Sequence, residues 1–142
     1  MDNNIDVLDE LNKGCSMGVD ALDIIIPKVE EHDFKELLEN QLEEYKDLSS
    51  RIGDLYREFT SSDLHETSAM EKAMTWYGIQ KDTILDNSIA KLADLLVKGT
   101  NMGIIEGRRI LNHKKMDKRV HKICSEYVKV QEKYLESLKA YL

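Results

Sequence analysis

Residues 9–18 read DELNKGCSMG, and residues 94–103 read DLLVKGTNMG. At an offset of 85, Asp9, Leu11, Lys13, Gly14, Met17 and Gly18 recur as Asp94, Leu96, Lys98, Gly99, Met102 and Gly103, six identities in ten positions. Val19/Ile104, Ile25/Ile110 and Ile26/Leu111 continue the match conservatively. Self-similarity at a fixed offset marks a repeated supersecondary unit. At an offset of 86, Phe34 falls on Val120, Leu38 on Cys124, Leu48 on Tyr134 and Ile52 on Leu138.

Each half of the repeat has helical periodicity. Leu8, Leu11, Cys15, Gly18, Leu22, Ile25 and Val29 are spaced by threes and fours, as are Phe34, Leu38, Gln41, Tyr45, Leu48, Ile52, Leu55 and Phe59. Leu92, Leu96, Gly99, Gly103 and Ile110 form a third stripe, and Val120, Cys124, Tyr127, Gln131, Tyr134, Leu138 and Tyr141 a fourth. Such spacing puts each set on one helical face, the seam of a bundle. A single proline, Pro27, in 142 residues agrees with long helices. Asp33, with Glu36 as its capping-box partner, is the expected cap of the second helix, and Asp117 that of the fourth. Short connections predict two antiparallel hairpins, about 4–59 and 88–142, within one domain spanning 1–142. A long crossover, about 60–87, joins them and contains a short amphipathic helix capped by Thr67 or Ser68.

The expected fold is therefore all-α: two helical hairpins related by a pseudo-two-fold axis. The repeated Lys-Gly-x-x-Met-Gly and the hairpin–connector–hairpin order resemble the small bacterial ferritin-like four-helix-bundle domains of unknown function. The resemblance covers nearly the whole chain and implies architecture without implying an activity.

A ferritin-like bundle raises the question of a di-iron centre, which takes Glu from two helices and Glu-x-x-His from the other two. None of His32, His65, His113 and His121 has a glutamate three positions before it. His32 and His113 are expected at helix C-terminal ends, where an imidazolium meets the negative end of the dipole. Mid-bundle positions carry neutral residues instead, with Gln41 corresponding to Tyr127 and Tyr45 to Gln131. These four are expected to form a hydrogen-bonded polar layer, because a buried glutamine needs partners. No metal ligand, catalytic residue or cofactor is assigned.

Gly14, Gly18, Gly99, Gly103 and Gly107 cost roughly 0.5–1 kcal/mol each in a helix interior relative to alanine. Close approach of the first and third helices, a groove for a second subunit, or a ligand contacting bare backbone is the expected compensation, with Met17 and Met102 filling gaps beside them. Met70, Met74, Trp76 and Tyr77 give the connector an apolar patch suited to covering the bundle or to a partner. There is no phosphate loop, nucleophile elbow or Cys-x-x-Cys pair. Cys15 and Cys124 read as free core thiols suited to a reducing cytoplasm.

With 27 acidic residues against 20 basic ones, the net charge of −7 argues against general nucleic-acid binding. No apolar run reaches the roughly 18–20 residues of a membrane span, and the polar N-terminus is unlike a signal peptide. The function expected is that of a non-catalytic cytoplasmic bundle acting through protein–protein contact or homodimerisation. The alternative is a degenerate ferritin-like protein binding a metal or small ligand in a stress or redox role.

Overall fold

The computed structural model describes residues 3–60 and 88–142. Four helices make up almost all of that span: α1 (Asn4–Ile25), α2 (His32–Phe59), α3 (Ile89–His113) and α4 (Lys118–Lys139). The apolar stripes point inward. Leu8, Leu11, Cys15, Leu22 and Ile25 of α1 meet Phe34, Leu38, Leu48 and Ile52 of α2, all of them buried. Leu92, Leu96 and Ile110 of α3 and Val120, Cys124 and Leu138 of α4 complete the core.

The helix boundaries follow from local chemistry. Pro27 lacks an N–H and cannot continue α1, so the chain tightens into a 3-10 turn at Ile26–Lys28 and leaves extended at Val29. The cap of α2 is Glu31 rather than Asp33. Its carboxylate accepts hydrogen bonds from the Asp33 and Phe34 amides at 3.0 and 2.7 Å. The helix starts two residues earlier than the capping box implies, which places Asp33 inside the first turn. His32 consequently opens α2 rather than closing α1, and there it lies 3.5 Å from Glu36. His113 does end α3. Ser88 caps α3, and Asp117 caps α4 through the Arg119 amide at 2.9 Å. The short helix, its Thr67/Ser68 cap, His65 and the Met70, Met74, Trp76 and Tyr77 patch lie outside the described residues.

The core divides into two apolar clusters stacked along the bundle. One gathers Val7, Leu8, Leu11, Leu48, Ile52, Ile110, Val120 and Cys124. The other gathers Leu22, Ile25, Phe34, Leu38, Leu92, Leu96 and Leu138. Tracing each helix between them gives its direction. α1 and α4 run from the first cluster to the second, whereas α2 and α3 both run from the second to the first. Thus α1/α2 and α3/α4 are antiparallel hairpins, and the consecutive helices α2 and α3 are parallel.

At one end the start of α1 is tied to the α3–α4 turn. The Asn3 amide donates to the Lys115 carbonyl at 2.8 Å, and Asn4 Oδ1 accepts from the Asp117 amide at 2.7 Å. Ion pairs between α2 and α4, Arg51–Glu126 and Arg119–Glu58 at 2.6 Å and Lys133–Glu44 at 2.7 Å, lace the hairpins together. Partly exposed pairs of this kind contribute at most about 1 kcal/mol each.

Candidate functional site

The polar residues of the mid-bundle stripes meet between the two apolar clusters. Gln41 and Tyr45 are four residues apart on α2, so their side chains are stacked neighbours on one face. Gln41 Nε2 donates to Tyr45 Oη at 2.8 Å, and Tyr45 Oη donates in turn to Gln131 Oε1 of α4. Thr100 of α3 borders the same layer, and Gln131 lies beside Tyr127 over Gly103. Gln41, Tyr45, Tyr127 and Gln131 are all at most 3% exposed. Burial pushes both phenols far above the ordinary tyrosine value. The same burial drives the Cys15 thiol up to about 12, Arg51 pulling slightly the other way, and Cys124 up to about 11. Cys124 Sγ donates to the Gly107 carbonyl at 3.8 Å.

The glycines of α1 and α3 make room for this layer. What fills the space above them is side chains from the opposite helices rather than a neighbouring backbone. A Cβ added to Gly14 would collide with Tyr127 Oη and lie 2.9 Å from its Cζ. One added to Gly18 would collide with Tyr45 Cε2 and lie 2.6 Å from Cδ2. At Gly103 it would meet Gln131 Nε2 at 2.7 Å, and at Gly107 it would strike Val128 Cγ2.

The repeat relates these contacts. Gly14 corresponds to Gly99 and Tyr127 to Gln41, while Gly18 corresponds to Gly103 and Tyr45 to Gln131. Three members of this pattern are closely packed: Gly14 with Tyr127, Gly18 with Tyr45, and Gly103 with Gln131. The fourth pairs Gly99 with a glutamine, shorter than the tyrosine in the matching place. Gln41 also spends its amide nitrogen on Tyr45 of its own helix. A cavity of about 110 Å³ lies here, and Gly99 and Gln41 both line it. Gly14, Gly18 and Gly103 border it too, with Met17 and Met102 among its apolar walls. Gln41 Oε1 is buried and has no hydrogen-bond partner.

These neutral amides and phenols do not suit a di-iron centre, which draws on carboxylates and imidazoles to hold and charge-balance the metals. Among the described residues, the grouping of metal-ligand type is His32, Asp33 and Glu36, all exposed on the first turn of α2 and remote from the layer. His121 is exposed on the first turn of α4.

Among the described residues, no helix is long and apolar enough to cross a membrane. No protein-family model, curated protein or solved structure matches this chain.

Proposed function

We propose that this chain is a cytoplasmic bundle of ferritin-like architecture that works through protein contact, its partner being a second copy of itself. The parallel run of α2 and α3 supports the architecture, since consecutive parallel helices need a long crossover of the ferritin-like kind. The observation that carries the contact reading is the partition of charge between the hairpins. Residues 4–59 hold fifteen Asp and Glu against six Lys and Arg, a net of −9. Residues 88–142 hold six against twelve, a net of +6.

One flank of the bundle is therefore acidic and the other basic. Most of these charges are exposed, among them Glu30, Glu39 and Glu43 on the acidic side and Lys114, Lys118, Lys122 and Lys129 on the basic side. Two copies related by a two-fold axis can lay each acidic hairpin against the other's basic hairpin, and such an isologous contact closes on itself. Met102 and Ile105, 47% and 42% exposed on α3, offer apolar anchors beside the basic residues Lys98, Arg108 and Arg109. Opposite charges of this kind steer encounter and fix orientation, and salt screens them.

Light scattering behind size exclusion tests this directly. At low ionic strength, roughly 20 mM salt, the mass is expected to be twice 16.4 kDa, falling toward the monomer near 0.5 M. Lys122→Glu combined with Lys129→Glu should weaken the dimer by at least about tenfold at low salt. A monomer at every ionic strength, or a dimer indifferent to salt and to charge reversal, refutes the proposal.

A further inference from the structure

The geometry points to a second property: the cavity beneath Gly99 is a binding site for a small, neutral, ring-sized molecule carrying one N–H or O–H donor, which hydrogen-bonds Gln41 Oε1. Three observations carry this.

The first is the orphaned acceptor. Gln41 is 1% exposed, its nitrogen is committed to Tyr45 and its oxygen has no partner. Buried acceptors are ordinarily paired, since desolvating one without a partner is costly. Because the open position is an acceptor, the complementary ligand brings a donor. The second observation is the wall chemistry. Among the described residues no charged side chain lines the cavity, so an ion entering it would lose its hydration without a counter-charge. The bare backbone at Gly99 and Gly103 lets a flat molecule come close, and Leu22, Leu96 and Met102 offer it apolar contact.

The third is size. A dry apolar cavity of about 150 Å³ accommodates benzene. At about 110 Å³, this one suits a single ring whose edge remains at the opening between α1 and α3. The site also sits where the repeat sets Gly99 and Gln41 in the places that Gly14 and Tyr127 hold in the other half. Tyr127 packs against Gly14, whereas its counterpart Gln41 lines the cavity together with Gly99.

Phenol and toluene have nearly the same shape and differ in the donor, which makes them suitable probes for the full chain. Titration followed by calorimetry and by two-dimensional NMR is expected to show phenol binding at least tenfold more tightly than toluene, with shifts centred on Gly99, Thr100 and Gly103. In Gln41→Leu that preference should fall to about one, with the ligand-free variant still cooperatively folded. Gln41→Met serves as a second variant with a more adaptable side chain. Equal binding of phenol and toluene by the unaltered chain would mean that the oxygen is served by solvent alone. That result, no phenol binding up to about 10 mM, or a preference surviving both substitutions overturns the inference. The dimer experiment is unaffected by any of these results.

Discussion

Gly18→Ala is expected to lower the thermal midpoint by roughly 3–7 °C, although alanine is the better helix former by about 1 kcal/mol. The added methyl meets the edge of the Tyr45 ring at two atoms, Cε2 and Cδ2. The ring cannot swing aside cheaply, because its hydroxyl is held between Gln41 and Gln131. Overpacking a filled core costs about 1–3 kcal/mol and sometimes more, which outweighs the gain in propensity. Gly14→Ala should also destabilise, but by a different collision, with the Tyr127 hydroxyl first and Cζ behind it.

Double-mutant cycles separate the two cases. Tyr127→Phe removes the atom that Gly14→Ala strikes, so the pair should show favourable coupling of about 1–2 kcal/mol. Tyr45→Phe leaves the ring edge in place and should not rescue Gly18→Ala. Thermal unfolding of the six variants decides the matter. A level or raised midpoint for Gly18→Ala would show that the glycines are not required by the rings.

Alkaline pH should unfold this protein steeply. Cys15 titrates near 9 when exposed and at about 12 when folded, and the Tyr45 and Tyr127 phenols, near 10 when exposed, are displaced upward as well. In each case the folded state holds its proton more tightly than the unfolded state. The contribution is complete below the unfolded pKa and is lost as pH rises through the folded one. Stability should therefore be level in thiol and phenol terms up to about pH 8 and begin to fall near 9 as Cys15 enters. Above 10, with Cys124 and the two phenols added, the slope approaches about 5 kcal/mol per pH unit, near four protons. That is enough to erase a total stability of about 5–15 kcal/mol within two or three units. Urea midpoints between pH 7 and 11 measure the slope directly. A flat profile through pH 10.5 would mean that the layer is open to water.

Helix identity could be read from the sequence because burial acts on spacing. Leu8, Leu11, Cys15, Leu22 and Ile25 are spaced to share one face of a helix, and all are buried. Helix starts were less legible. Asp33 and Glu36 fit a capping pattern, yet the Glu31 carboxylate two residues earlier takes the Asp33 and Phe34 amides and starts the helix there. The position of His32 changed with that choice. Spacing alone puts Gln41, Tyr45, Tyr127 and Gln131 on inward stripes, but it does not set which amide atom of Gln41 faces Tyr45. That orientation, with the shortness of glutamine against Gly99, defines the cavity. The charge partition was hidden by averaging, since a net of −7 is the residue of −9 and +6 together with the acidic remainder.

The tie between the start of α1 and the α3–α4 turn also bears on the order of events during synthesis. Asn3 makes no side-chain cap for α1, and its amide instead finds the Lys115 carbonyl 112 residues away. At a ribosomal pace of about 5–20 residues per second, that partner emerges on the order of 10 s later. Until then the first turn of α1 lacks that bond, and Val7 and Leu8 lack the α4 members of their cluster, Val120, Ile123 and Cys124. For that interval the nascent chain is a half-assembled hairpin with an exposed apolar edge, the state in which a chaperone, or another nascent copy, would find it.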